Sequence, residues 1–534
     1  MNANAAAVAI FIWMKTLIDR AGENRSFWER TAAKFSSEPL ERDVTTDVCI
    51  IGAGIAGVTT AYLLAREKKN VVLIDRGPVG AGMTGRTTAH FVNAIDDRYV
   101  DLEEMLGEEC ARLTAESHTA AIDQAEKIVN ENNIDCHLER VDGYLFLPPG
   151  GSVKELMREL EAVHRSGLGS VERVNSIPNT KIDTDAALKF PRQLQLHPLK
   201  YLSALARIIV ELGGRIVTGT PVVEVEDGDQ VKIRTENGHT ITAHAAVVAT
   251  NSPINDRLVL HSKQAPYATY AMCFRVTRKV DHSLFWDTAM TAELEKQQIG
   301  PIPYHYIRFA RDDEGDVLMV GGEDHKTGQA NDWEVRFGKL ERWTRDRFPF
   351  AGEITDRWSG QVMEPVDGVA YIGRNPSDKN VYVVSGDSGN GMTHGTLAGM
   401  LITDLIAGRE NPWAKLYDPA RKTLKPIVVA DYIAENANVA AQMRDYVTPG
   451  DEASGDKITN GEGALLREGL KKIAAYRDEQ GTLHKFSAVC PHLKCIVRWD
   501  GCEKTWDCPC HGSRFDAFGR VLNGPAISGL ERLE

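Results

Sequence analysis

The sequence predicts three structural units: an α/β body, an α+β domain built on an antiparallel sheet, and a small all-β domain at the C-terminus. Three observations predict it. A buried strand, a glycine turn, a helix and a second buried strand follow one another within residues 47–75. Strand-like runs with tight-turn signals recur between 141 and 354. The last stretch, 449–534, is short strands and turns around five crowded cysteines. At 534 residues the chain is too long for one ordinary domain. Its 43% hydrophobic and 26% charged residues are those of a globular protein.

The net charge of −13 argues against nucleic acid as a partner, because phosphate binding wants a basic surface. Cys49, Cys110, Cys136 and Cys273 are scattered and read as small buried hydrophobes. Cys490, Cys495, Cys502, Cys508 and Cys510 crowd into 21 residues, which marks a site rather than a secreted disulfide framework. Ala5 to Met14 is apolar, but ten residues cannot span a bilayer. No basic segment precedes it and no small-residue cleavage site follows, so the expected compartment is the cytoplasm, with Met14 as an alternative start.

Residues 1–46 read as an N-terminal arm with a short helix around Phe27 to Phe35. Val48 to Ile51 is a buried parallel strand, Ile55 to Arg66 a helix and Val71 to Ile74 a second buried strand, together one βαβ unit. Helices are expected at roughly 100–132 and 152–166, with strands of a second sheet at 141–147 and 171–174. Tyr201 to Leu212 is helical; Arg215 to Val217 and Val222 to Val225 are strands. Val231 to Ile233 pairs with Thr240 to Thr242 across the Asn237-Gly238 turn, and Ala246 to Ala249 returns to a buried strand. From 256 to 354 the pattern is antiparallel, with strands at Ala271 to Val276, Tyr304 to Phe309 and Val317 to Val320. Thr396 to Ile406 has helical apolar spacing. Residues 411–448, with Pro412, Pro419 and Pro426, form a connector to the last domain.

Gly52-x-Gly54-x-x-Gly57 lies directly after a strand and opens a helix. Glycines there allow a tight turn and close backbone approach, and a pyrophosphate meets the positive helix end. Asp75 closes the second strand 23 residues after Gly52, where a carboxylate accepts from ribose hydroxyls. Three more segments decide which dinucleotide. Gly80 to Thr88 continues the glycine-rich path, Val247 to Asn251 is a strand end, and Asp367 to Gly373 precedes Gly386 to Met392. In this order they resemble the D-amino-acid oxidase and glycine oxidase superfamily.

The resemblance implies FAD and a Rossmann-like FAD-binding domain of the glutathione-reductase type, from segments at about 47–100, 195–255 and 355–410. A substrate domain takes 101–194 and 256–354 of the 47–410 body. It implies FAD contacts from Gly52, Gly54, Gly57, Asp75, Arg86, Thr87, Thr88, Val223, Ala249, Thr250, Gly373, Gly389, Asn390, Gly391 and Met392. The helix after Gly391 also has a physical logic, since its N-terminus can stabilise the negative charge of a reduced flavin.

Cys490-Pro491-His492 and Cys508-Pro509-Cys510-His511 are separated by fifteen residues from His492 to Cys508. Cysteine and histidine at these spacings suit either a tetrahedral zinc or a [2Fe–2S] cluster with two thiolates on one iron and two imidazoles on the other. The pattern resembles Rieske proteins. That resemblance implies Cys490, His492, Cys508 and His511 as ligands, a disulfide between Cys495 and Cys510, and an inert Cys502. It departs at Lys494, where such loops commonly have glycine, and at Phe515, where high-potential members have a tyrosine. One missing donor disfavours the reduced cluster, so a potential in the lower or middle part of the roughly −150 to +300 mV Rieske span is expected. A disulfide sits uneasily with a cytoplasmic address.

As a whole the chain resembles bacterial fusions of an oxidase-like FAD module with a C-terminal Rieske module. The resemblance implies oxidation of an amine or amino acid, with electrons leaving through His492 or His511 to, or arriving from, a one-electron carrier protein or quinone-like partner. Tyr304, Tyr306 and Arg308 are the candidate pocket residues, Arg308 as a carboxylate clamp, and His325 is a candidate acid or base. His90 is a conceivable flavin attachment point. A Rieske oxygenase has no room for its second iron in the 23 residues after His511. The alternative function is a redox sensor without a substrate of its own.

Overall fold

Runs of valine, isoleucine and alanine with no polar face can be satisfied only by a strand covered on both sides. In the computed structural model, which describes residues 21–148, 151–182, 184, 186–255, 259–287 and 304–533, such runs form the centre of an eight-stranded sheet. Its order is Tyr371–Arg374, Val381–Ser385, Thr240–Val248, Val44–Ile51, Val71–Ile74, Arg215–Val217, with Val222–Glu226 and Val231–Thr235 attached through Thr240–Val248. The inner pairs are parallel. Val48 and Ile50 face one core with Leu73 and Val247, while Cys49 and Ile51 face another with Ile74 and Val248. The helix Ile55–Arg66 and the helix Gly391–Ile406 pack on each other over the first core.

A second, nine-stranded sheet runs Ala351–Pro365, Gln264–Val276, Gly315–Lys326, His305–Asp312, Leu284–Asp287, Glu139–Phe146, Ala187–Gln195, His90–Phe91, with Glu172–Val174 beside Ala187–Gln195. It is antiparallel except where Leu284–Asp287 pairs in parallel with Glu139–Phe146. Two four-stranded antiparallel sheets make the C-terminal domain. No helix among the described residues is long and apolar enough to cross a membrane. The apolar stretch Ala5 to Met14 lies outside the described residues.

Several expectations shift. The arm helix is shorter than expected, Phe27–Thr31, closed by a capping box between Ser26 and Glu29. The two strands expected at 240–242 and 246–249 are one, Thr240–Val248, which serves the hairpin at one end and the parallel sheet at the other. Ala187–Gln195 was hidden by Pro191 and by Arg192, whose φ is +59°. The stretch expected to be wholly antiparallel contains a helix, Trp333–Arg347, which buries only Phe337, Leu340 and Thr344 and so carries a weak apolar stripe. The connector holds the helix Pro426–Gln442, with its proline in the first turn and Val428 as its buried residue.

The polar-looking arm is in fact wedged between the two bodies. Ser26 Oγ donates to Gly85 O at 2.5 Å and Trp28 Nε1 to Thr87 O at 2.6 Å. On the other side Glu23 N donates to Glu503 O at 3.0 Å, and Arg514 Nη1 donates to Ala21 O at 3.2 Å.

Candidate active site and cluster site

One cavity runs from the glycine turn to the second sheet. At the turn, Gly52 has φ +106°, and a Cβ there would lie 2.3 Å from Ala249 O. A Cβ on Gly57 would lie 1.8 Å from Gly52 O. Only glycine lets the strand end and the helix close on each other this tightly. The Asp75 carboxylate accepts from Ala53 N at 2.6 Å and Gly77 N at 2.8 Å, and burial pushes its pKa up.

Gly52, Gly54, Asp75, Arg86, Thr87, Thr88, Ala249, Thr250, Gly389, Asn390, Gly391 and Met392 all line the cavity. Gly57 and Gly373 do not, and the lining falls on Val222 rather than Val223, the neighbouring residue whose side chain a strand sends the other way. The start of the helix Gly391–Ile406 opens into the cavity, with Asn390 as N-cap. These residues fit a dinucleotide: a backbone cradle that any Cβ would fill, an acidic ribose partner and a positive helix end.

Along His305–Asp312 and the residue before it, alternation decides which side chains reach the cavity. Tyr304 and Tyr306 line it; Tyr304 OH donates to Asp96 Oδ2 at 2.8 Å, and Tyr306 OH lies 2.6 Å from Thr269 Oγ1. Arg308 has the right parity but lies beyond the cavity. Its guanidinium donates to the carbonyls of Thr88, Ala89, Leu196 and Phe309 at 2.7–3.3 Å, and burial draws its pKa down to about 9. It braces the backbone behind His90 and is not placed to clamp a carboxylate.

His325 is turned away as well, bonded to Tyr270 OH at 3.0 Å and Lys326 O at 2.9 Å. Its neighbour Asp324 faces the cavity instead. His90 lines it with both ring nitrogens engaged, by Thr88 Oγ1 at 3.0 Å and Ile307 O at 3.2 Å. The sequence reading missed Asp96, Trp286, Glu364 and Asp387, which line this end. Asp324 lies past a bulge: Tyr270 pairs with Gly322 but Ala268 with His325, and Glu323 holds φ +60°, so a parity count along this strand would have sent Asp324 to the other side.

In the C-terminal domain two tight loops meet. Cys490 N donates to Cys495 O and Cys508 N to Ser513 O, both at 2.8 Å. A disulfide joins Cys495 to Cys510, with Cα atoms 6.4 Å apart, which leaves the thiols of Cys490 and Cys508 as the loops' sulfur donors. Those two thiols are in hydrogen-bonding contact, and the Ser513 hydroxyl reaches Cys490. The rings of His492 and His511 lie 5.1 Å apart, and His511 Nδ1 is buried without a hydrogen-bond partner. Two adjacent sulfurs and two imidazoles, one with an orphaned nitrogen, fit a [2Fe–2S] cluster. Lys494 holds φ +67°, the backbone glycine would adopt freely, so the turn survives its substitution. Burial and nearby carboxylates push the Cys502 thiol far up, which keeps it inert.

The histidine edge was expected to face outward. It faces the FAD-binding body instead: the His261 ring lies 4.9 Å from His492 and 5.8 Å from His511, and His511 is buried. Gln361 Nε2 donates to Gly512 O in the second cluster loop at 2.9 Å, and Gln361 is also one of the residues lining the cavity. Val521 to Gly524 supply cavity wall, and Arg76 Nη1 donates to Val521 O at 2.6 Å. Arg86, expected only at the cofactor, also forms a wholly buried ion pair with Glu503 at 2.5 Å. Glu503 further accepts from Ser359 N at 2.7 Å and Asn24 N at 3.0 Å.

Comparison with known proteins agrees with this division. Residues 47–405 match the family model described as FAD dependent oxidoreductase, and 453–534 the Rieske [2Fe-2S] domain. A Rieske 2Fe-2S iron-sulfur protein of Bacillus subtilis (strain 168), YhfW, is 30% identical over 510 residues, covering 95% of this chain and 97% of its own. The gamma-glutamylputrescine oxidoreductase of Escherichia coli (strain K12) is 25% identical over 72% of this chain and 89% of its own. Glycine oxidase from Geobacillus kaustophilus superposes with a TM-score of 0.58 at 18% identity, over 71% of this chain and 99% of that one. The chain belongs to the FAD dependent oxidoreductase family, carries a Rieske [2Fe-2S] domain at its C-terminus, and has FAD and that cluster as its cofactors.

Proposed function

We propose that this oxidoreductase oxidises an amine or amino acid and exchanges the electrons, through its cluster, with an external one-electron carrier or quinone-like partner. A C–H and an N–H hydrogen leave the substrate with two electrons, giving an imine that water hydrolyses to a carbonyl compound and an amine or ammonia. FAD takes such an electron pair, and a Rieske cluster takes single electrons. Tyr304, Tyr306, Asp96 and Asp324 orient the substrate, and the helix start at Gly391 faces the developing negative charge.

The observation that carries this reading is Gln361. This one buried residue lines the cavity, and its side chain donates to the cluster loop. His261, against both imidazoles, supports the same contact face, which makes the histidine side the internal side. The exposed Lys494 then marks the solvent side of the first loop.

Anaerobic mixing of the full chain with a panel of amines and amino acids tests it. Flavin bleaching followed by the reduced-cluster EPR signal is expected, and Cys508→Ser should keep the bleaching and lose the signal. Gln361→Leu should slow the appearance of the signal by more than it slows the bleaching. Bleaching that never yields the EPR signal would sink the coupling, and silence toward every compound would favour a redox sensor.

A further inference from the structure

The residues that meet at the far end of the cavity carry one sign of charge. Asp96, Asp324, Glu364 and Asp387 line it together with Trp286, Tyr304 and Tyr306. Among the described residues, the basic side chains in the lining are Arg76, Arg86, His90 and His394. Arg76 sits at the nucleotide end against Val521, and Arg86 is matched by Glu503. Burial leaves both histidines neutral, His90 drawn down to about 3 and His394 to about 4. His394 is held by Asp387 O at 2.9 Å and by His118 at 3.1 Å.

Among the described residues no cation pairs with these four carboxylates, although Asp96 accepts from Tyr304 OH at 2.8 Å and Asp387 from Met363 N at 3.0 Å. Asp324 Oδ1 is buried with no hydrogen-bond partner. The Ser388 hydroxyl lies 2.6 Å from Asp97 and 2.8 Å from Glu364, yet has one proton to give. Burial first, and the Asp96 carboxylate after it, push Asp324 to about 7; burial pushes Asp387 to about 6. A positively charged guest would relieve both the desolvation and the mutual repulsion. The aromatic rings beside these acids offer the faces an ammonium prefers: Tyr304 and Tyr306 lie 5.5 Å apart.

We infer that this end of the cavity takes a diamine or polyamine without a free carboxylate, its ammonium groups held by Asp324, Asp96 and Glu364 between the rings of Trp286, Tyr304 and Tyr306. A zwitterionic amino acid would bring its carboxylate among four others, with Arg308 spent on backbone carbonyls elsewhere. The inference rests on the amine-oxidising reading above and narrows it.

The experiment uses the full chain with both cofactors under anaerobic conditions. 1,4-Diaminobutane and spermidine are set against glycine, D-alanine and 4-aminobutanoate, the last replacing one terminal ammonium of the diamine by a carboxylate. Tetramethylammonium, which cannot be oxidised, is titrated while the spectrum of the oxidised flavin is followed. The diamine should half-saturate bleaching at a concentration at least tenfold below 4-aminobutanoate. Asp324→Asn should raise that concentration at least tenfold and weaken the tetramethylammonium response, with flavin content unchanged. Glu364→Gln serves the same purpose should the first variant fail to fold. An equal or better response to the carboxylate-bearing compounds, or undiminished diamine binding in the folded amide variants, overturns the assignment and leaves amine or amino-acid oxidation standing. No bleaching by any amine or amino acid overturns both.

Discussion

Asp324 sits one residue before the histidine that drew attention in the sequence. Strand alternation sends the two to opposite sides, so the acid reaches the cavity and His325 reaches Tyr270. Residue types are legible in a sequence, whereas their facing depends on register, which here shifts against Gln264–Val276 at a bulge around Glu323, whose φ is +60°. Tyr304 and Tyr306 were legible because they share one parity; Arg308 shares it too but runs past the end of the cavity.

The Asp324 pKa of about 7 in the folded chain exceeds its ordinary value of 3.8, so its protonated form is favoured by folding. That contribution is complete below about pH 4 and is lost as the pH rises to about 7. Relative to wild type, the melting temperature of Asp324→Asn should therefore climb between pH 4 and pH 7 and then level off. A flat difference across that window would mean that the carboxyl titrates normally.

Phe515, fully buried opposite Trp506, stands where a donor is missing. Phe515→Tyr should raise the cluster's reduction potential, measured by EPR-monitored redox titration, provided its hydroxyl reaches a cluster ligand.

Among the elements, the ones read correctly were those with an unmixed signal. Ile55–Arg66 and Val71–Ile74 appear within their expected bounds because a continuous apolar run followed by a glycine turn allows few alternatives. Trp333–Arg347 and Pro426–Gln442 escaped because each buries very little, so composition rather than periodicity dominates them. The two cluster loops are short elements that hold each other. Their disulfide spans 15 residues of chain, and closing a loop of that length is worth on the order of 3 kcal/mol in the entropy model. Cys510→Ser should lower the stability of the C-terminal domain by about that amount and accelerate loss of iron, read by the decay of cluster absorbance in denaturant.

For the whole molecule, the two bodies meet through buried charge as well as through apolar packing. Arg86 and Glu503 are both fully inaccessible, and removing one partner of such a pair typically costs about 3–5 kcal/mol because the other charge stays buried. Glu503→Gln should therefore weaken domain docking, seen as two separated thermal transitions, one followed by flavin fluorescence and one by cluster absorbance. One shared transition at the wild-type temperature would show that the pair contributes little.

The organisation into an α/β body, a sheet domain and a small β domain was legible from motif order alone. Their contact was not, because the residues that make it come from an arm without a motif and from a glutamate outside any motif.

The Glu503 contact also limits how freely the modules can be recombined. A foreign Rieske domain bearing the same ligand loops, spliced on after residue 448, would keep its iron chemistry. Without an acid at the place of Glu503 it would leave the buried Arg86 guanidinium uncompensated. Successful grafts should be those whose donor sequence already offers an acid in the turn that matches the one between Arg498–Asp500 and Thr505–Asp507.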